Sequence, residues 1–273
     1  MALGNRVATF LITDVGKARK NNEDAIGEEP DLGLLVLADG MGGHNAGEVA
    51  SGIAVNTVKE TMMRRWKEIE HGVVDQKTGF THEALLLREA VEAANDAIQH
   101  VSHTQPQCAG MGTTVVVALM HGDLLSIAYV GDSRLYRYRD GQLEQVTRDH
   151  SLLEELVARG HYSREEAGNM VKKNIVTRAL GVEESVKVDL IENPLEYQDL
   201  LLLCSDGLTD LVDDETIAEK LGKFENNLAK AGKALVAEAN NAGGKDNISI
   251  VLARVDAELT PGQPWYERLL EWL

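Results

Sequence analysis

Apolar residues along the chain fall either into short continuous runs or into longer stretches with helical spacing. Residues 7–14 are rich in β-branched and apolar side chains and 32–38 are almost continuously apolar, which predicts two core strands. From 46 to 67 the residues Val49, Ile53, Val58, Met62 and Trp66 recur at helical intervals, and 81–101 opens on Thr81, a capping side chain, before continuing in strong helix formers. Two helices are therefore expected, joined through the polar loop 70–79 with its Gly72 and Gly79. Strands at 113–120, 123–130, 134–139 and 142–146 predict an antiparallel meander turning at His121-Gly122 and at Asp140-Gly141, the latter an ordinary type I′ hairpin turn. The stretch 147–181 breaks this rhythm. It is polar, with a short helix at 151–159 and a capping box at Ser163 with Glu166, and reads as a surface subdomain. Strands at 185–190 and 200–204, helices near 215–221 and 225–240, and a last strand at 247–255 return to the core. Helices and runs of strands are segregated, which describes an α+β domain and not a βαβ repeat.

Acidic residues stand at the edges of these apolar runs. Asp39 follows Leu34-Leu35-Val36-Leu37-Ala38 and opens Asp39-Gly40-Met41-Gly42-Gly43-His44, where the strand is expected to end in a loop. Asp206-Gly207 follows the apolar run at 200–204, Asp246-Asn247 precedes Ile248, and Asp132 lies in Gly131-Asp132-Ser133-Arg134. Asp210 comes four residues after Asp206, and Asp24 lies in Asn21-Asn22-Glu23-Asp24. Any one of these is an ordinary turn residue. Their recurrence points to a cluster of oxygen donors for a hard divalent cation, with glycine letting a backbone carbonyl approach the same ion.

Composition narrows the partners. A chain of 273 residues without a Pro/Gly/Ser-rich linker or internal repeat is read as one domain over 1–258, followed by a short helical tail at 259–273. That tail either docks on a partner or packs back onto its own domain. The formal charge of −17 argues against nucleic acid. It fits carboxylates crowded together, which at about 4 Å repel by roughly 4 kcal/mol per pair at an effective dielectric of 20 and which divalent cations relieve. Cys108 and Cys204 lack the spacing of a zinc or redox pair. No secretory leader and no long apolar span is evident, so a cytoplasmic protein without a membrane partner is expected.

Taken in order, the motifs resemble the metal-dependent serine/threonine protein phosphatases of type 2C, in their compact bacterial form. The resemblance rests on Thr13-Asp14-Val15-Gly16 with Arg19 and Asn22-Glu23-Asp24, on Asp39-Gly40-Met41-Gly42-Gly43-His44 with Gly47-Glu48, and on Gly110-Met111-Gly112-Thr113-Thr114. It continues through Gly131-Asp132-Ser133-Arg134, Ser205-Asp206-Gly207-Leu208-Thr209-Asp210 and Gly244-Lys245-Asp246-Asn247.

The resemblance implies a four-layer αββα sandwich of two antiparallel sheets with a flap subdomain at about 147–181. It implies hydrolysis of phosphoserine and phosphothreonine on proteins by a water bridging two Mn²⁺ or Mg²⁺ ions. Asp39 would bridge those ions, the Gly40 carbonyl would bind one, and Asp206 and Asp246 the other. Glu23 and Asp24 would act through water, and Asp132 and Asp210 would join Asp206 around a third, weaker ion. Arg19 would grip phosphate oxygens with its planar fork. The animal relatives carry a histidine directly after the Asp-Gly pair, where this chain has Met41. His44 is thus either the general acid or a residue that orients the loop. The expected partners are phosphorylated proteins and an opposing serine/threonine kinase, with the chain acting as a monomer.

Overall fold

Alternation along the strands decides how the layers stack. The computed structural model describes residues 7–43, 46–160, 162–163, 166 and 175–256. In β3 (Leu34–Met41) the side chains of Leu34, Val36 and Ala38 pack with helices α1 (Ala46–Arg65) and α2 (His82–Thr104). Their neighbours Leu35 and Leu37 enter a different cluster, together with Val116 and Ala118 of β5 (Val115–His121), Ile127 and Tyr129 of β6 (Leu124–Val130), Leu201 and Leu203 of β10 (Leu200–Cys204), and Val251 and Ala253 of β11 (Ile248–Val255). Successive residues of a strand point to opposite faces, so a run apolar at every position must be covered on both. β10 and β11 repeat the pattern: Leu200, Leu202, Ile250 and Leu252 face away from that inner layer onto α4 (Asp214–Lys223) and α5 (Leu228–Asn241). The result is helix, sheet, sheet, helix, as the family resemblance implies.

All pairings within the sheets are antiparallel. One sheet runs β1 (Val7–Asp14), β11, β10, β7 (Arg134–Arg139), β8 (Gln142–Gln145). The other runs β2 (Asp24–Glu29), β3, β5, β6, β9 (Asp189–Pro194), with the short β4 (Gly112–Thr113) also paired to β3. Helix α2 starts on Thr81, whose side chain accepts from Ala84 N–H as the sequence predicts. The β7–β8 turn has both Asp140 and Gly141 at positive φ, 49° and 77°, as a type I′ turn requires.

Four departures from the sequence reading appear. The four central strands are not a meander: β5 and β6 pair in one sheet, β7 and β8 in the other, and the chain crosses between them at Gly131-Asp132-Ser133. Both hairpins form, the first turning at Gly122-Asp123, one residue later than expected, but sheet membership depends on which faces find partners. β3 runs on through Met41, so Asp39 lies inside a strand and not at its end, because Asp24 of β2 and Thr113 of β4 extend the ladder on its two sides. β2 itself escapes the sequence pattern, since Asp24–Glu29 is half-buried throughout and three of its six residues are acidic. β9 spans Asp189–Pro194, later than the 185–190 expected.

The subdomain at 147–181 begins with α3 (Leu152–Ala158), capped by the Ser151 side chain. The predicted capping box closes in both directions, Ser163 N–H donating to Glu166 Oε2 at 2.8 Å and Glu166 N–H to Ser163 Oγ at 3.2 Å. The rest of that subdomain between 167 and 174, His44 and the tail at 259–273 lie outside the described residues. Among the described residues no helix is long and apolar enough to cross a membrane.

Candidate metal centre

Both sheets present carboxylates at the same end. Asp24 and Asp39 are direct partners across β2 and β3. Asp39 continues the alternating row of Leu35 and Leu37, so it points into the inter-sheet layer where that layer stops being apolar. Asp132 follows β6, while Asp206 follows β10 and Asp246 precedes β11 in the facing sheet. Antiparallel order brings these strand ends together although the residues are far apart in the chain.

The electrostatics report how close the gathering is. Burial holds the Asp39 carboxyl well above the usual carboxylate range, and the charges of Asp24, Asp206, Asp132 and Asp246 push it further. Asp206 is raised to about 8, by burial first and then by Asp132, Asp210, Asp246 and Asp24. Asp132 is raised to about 6, chiefly by burial, with Asp149 and Asp210 adding. Asp24 is raised by burial against the opposing hydrogen bonds of Ser249 and Ser205. Glu23, at the edge, is raised by burial, with Arg19 opposing and Asp246 and Glu48 adding.

The backbone is pinned from several sides. Asp39 N–H donates to Thr114 Oγ1 at 3.1 Å, while the Asp39 carbonyl accepts from Thr114 N–H at 2.9 Å and from the Thr113 hydroxyl at 2.8 Å. Gly40 cannot be replaced: a Cβ there would lie 2.2 Å from the Gly47 carbonyl and 2.4 Å from that of Glu23, because the strand is pressed against the first turn of α1. Gly207 is equally tight, a Cβ meeting the Asn247 carbonyl at 1.9 Å.

These donors fit a hard divalent ion. They are all oxygen, and Asp24 Oδ1 is buried without a hydrogen-bond partner. The one thiol nearby, Cys204, is fully buried in the outer layer and pushed up to about 12 by burial, so it is no soft ligand. Among the described residues no group of three His, Cys, Asp or Glu side chains is arranged to hold an ion alone.

Arg19 has a partner that the sequence reading does not anticipate. Its Nη2 donates to Asp246 Oδ2 at 2.6 Å, an ion pair with the arginine half exposed. Asp210 is held next to Asp206 by its own N–H on the Asp206 carbonyl, 2.8 Å, at the mouth of a small pocket lined by Gly207, Leu211, Lys245 and Asp246.

Two kinds of residue escaped the sequence reading. Asn247, buried, spends its whole side chain on the loop that carries Arg19 and Glu23: Nδ2 donates to the carbonyls of Val15 and Asn21, both at 3.0 Å, and Oδ1 accepts from Glu23 N–H at 2.8 Å. Ser205 and Ser249 form the other kind. Ser205 Oγ donates to Asp24 Oδ2 at 2.9 Å and accepts from Ser249 N–H at 3.0 Å. A legible signal existed for Ser249, a hydroxyl interrupting the apolar run Ile248-Ser249-Ile250-Val251.

The protein phosphatase 2C family model matches residues 17–240. The chain is 39% identical over 247 residues to the serine/threonine phosphatase stp of Listeria monocytogenes, covering 89% of this chain and 94% of that protein. It is 38% identical over 243 residues to the serine/threonine protein phosphatase PstP of Mycobacterium tuberculosis, of which it spans 44%. The crystal structure of the PstP catalytic domain in complex with two manganese ions superposes with a TM-score of 0.78 at 36% identity, over 92% of this chain and 99% of that one. The serine/threonine phosphatase Stp1 from Staphylococcus aureus gives a TM-score of 0.80 at 37% identity, over 94% and 98%.

Two outcomes follow from the geometry. A carboxyl whose folded pKa is raised to about 8 binds more protons folded than unfolded, where aspartate titrates near 3.9. Its stabilising contribution is therefore complete below about pH 4 and is lost as pH rises towards 8. Urea denaturation in excess chelator should show stability falling with pH across that window more steeply than in Asp206→Asn, which has no charge to gain. Asn247→Asp places an acceptor against the carbonyls of Val15 and Asn21, and the same denaturation should register a loss of about 1–3 kcal/mol.

Proposed function

The chain belongs to the protein phosphatase 2C family, and we infer that it is a protein-serine/threonine phosphatase that hydrolyses phosphoserine and phosphothreonine with Mn²⁺ or Mg²⁺ as cofactor. The observation that carries this reading is the meeting of Asp24 and Asp39 from one sheet with Asp206 and Asp246 from the other, where burial and then neighbouring charge hold Asp39 and Asp206 above the usual carboxylate range. Asp39 is the carboxylate we assign to both catalytic ions, with the Gly40 carbonyl on one and Asp206 and Asp246 on the other. Glu23 and Asp24 act through water. Asp132 and Asp210, with Asp206, hold a third and weaker ion.

When bound, the ion pair supplies an acidified water and the positive charge that a phosphoryl group needs during in-line displacement. The protein's own residues do the positioning. Thr113 and Thr114 hold the Asp39 backbone so that its carboxylate cannot withdraw from the centre. Ser205 donates its hydroxyl hydrogen to Asp24 and Cys204 is fully buried with its thiol pushed up to about 12, which accords with direct attack by water. Arg19 spends one donor on Asp246, and its remaining N–H groups are those we assign to the phosphoryl oxygens. His44 either protonates the leaving oxygen or orients its loop.

On the same reading the substrates are phosphorylated proteins, an opposing serine/threonine kinase supplies them in a signalling circuit, and the enzyme works as a cytoplasmic monomer. The flap at 147–181 shapes substrate access, since functional loops sit over rigid scaffolds.

Release of phosphate from a phosphothreonine peptide should require Mn²⁺ or Mg²⁺, stop in EDTA, and fall at least about 100-fold in Asp39→Asn. Calorimetry should show weakened Mn²⁺ binding in the same variant. Metal-independent turnover, or full activity of Asp39→Asn, would overturn the assignment. Replacing 151–176 by a short flexible linker should reduce turnover of the peptide more than that of para-nitrophenyl phosphate, and equal losses would contradict a substrate-selecting flap.

A further inference from the structure

Outside the carboxylate cluster, one buried imidazole is engaged on every side. His150, at the base of the flap, is almost fully buried. Its backbone N–H donates to the Gly131 carbonyl at 2.9 Å, and its ring Nδ1 accepts from Gly131 N–H at 3.0 Å. The two residues thus close on each other at two points. On the far side of the ring, Nε2 lies 3.2 Å from Asp189 Oδ2, and Asp189 is held in turn by Arg178 at 3.0 Å. Tyr129 stacks on the ring with centroids 5.0 Å apart.

These contacts determine the tautomer. An amide N–H can only donate, so Nδ1 is the bare nitrogen and Nε2 carries the proton that Asp189 accepts. The ring is neutral, in keeping with burial and the Arg178 charge, which hold its pKa below the ordinary value. Gly131 itself has little freedom to adjust. Its φ is +110°, and a Cβ would lie 2.6 Å from that of Thr114. The residue after it is Asp132, at the crossing from one sheet to the other.

His150 also belongs to the flap's two feet. Its carbonyl accepts from Thr177 N–H at 2.8 Å, Leu152 N–H donates to the Ile175 carbonyl at 2.9 Å, and Ser151 bridges to Val176. The outgoing and returning strands of the flap are therefore tied together at the residue whose ring holds Gly131.

We propose that His150 is a positioning residue for the divalent-cation chemistry: through Nδ1 it fixes the Gly131–Asp132 peptide, so that the flap base and the Asp132 carboxylate form one mechanical unit. This rests on the reading of Asp132 as a ligand of the third ion. His150 touches neither substrate nor ion.

Two isosteric substitutions separate the ring's two ends. In His150→Asn the side-chain oxygen replaces Nδ1 and can still accept from Gly131. In His150→Gln the amide replaces Nε2, reaching Asp189 and abandoning Gly131. Exchange of the Gly131 amide, followed by NMR in full-length protein kept metal-free with EDTA, should accelerate on the order of tenfold or more in His150→Gln and stay within about threefold of the parent in His150→Asn. The Mn²⁺ concentration that half-activates para-nitrophenyl phosphate turnover should rise about tenfold in His150→Gln, and this rise should vanish in an Asp132→Asn background, the signature of coupled sites. Equal exchange in the two variants would overturn the clamp. An unchanged Mn²⁺ effect of His150→Gln when Asp132 is already replaced would overturn the link to the ion. A parent protein with no metal-dependent turnover would instead defeat the phosphatase reading, while the exchange measurement still decides whether His150 holds Gly131.

Discussion

Like charges cannot be held side by side unless the framework around them is stiffer than their repulsion. Burial first, and then the charges of Asp24, Asp132 and Asp246, raise the carboxyls of Asp39 and Asp206 far out of their usual range. A charge pair at about 4 Å costs roughly 4 kcal/mol at an effective dielectric of 20, comparable to a sizeable share of a domain's net stability. The framework that resists it is the dry layer between the sheets, where Leu35, Leu37, Val116, Leu201, Leu203 and Val251 are buried at 0–1% exposure. Close-packed interiors yield little, so the strand ends stay where the packing puts them.

Where the apolar layer ends, hydrogen bonds take over the task. Thr114 holds both backbone groups of Asp39, Ser205 joins Asp24 to β11, and Asn247 ties the loop of Arg19 and Glu23 to the start of the same strand. Gly40 and Gly207 serve the same end by removing a side chain, since backbone meets backbone there at distances no Cβ tolerates. The centre is thus a closely held arrangement of oxygens, and Arg19, paired with Asp246, brings positive charge to it from within the chain.

The flap is attached to this framework and not merely beside it. His150 grips Gly131 from one foot of the flap, and the adjacent Asp149 receives a bidentate contact from Arg134 at 2.7–3.1 Å, just after the sheet crossing. Asp149 is also among the charges that raise Asp132. The base of the 147–181 segment and the Asp132 carboxylate therefore share a physical support, and the substitution of residues there bears on both.

Much of this was readable along the chain because local rules apply locally. Thr81 as a helix cap, the Asp140-Gly141 turn, the Ser163–Glu166 capping box and the doubly apolar strands 34–38 and 200–204 each depend on a few neighbouring residues. The family motifs carried the clustered aspartates with them. Edge strand β2 was hidden, because a half-buried acidic strand has no apolar signature, and the supposed meander was two hairpins, because a turn does not reveal which sheet its strands will join. Asn247, His150 and the contact between Arg19 and Asp246 were equally invisible as interactions, since each joins segments far apart in the chain. The sequence alone determined which side chains could carry the chemistry and the secondary structure around most of them. Only the tertiary structure decided which of them meet, because contact across two packed sheets is set by strand order and register, and those are chosen by burial of the whole and not by any one segment.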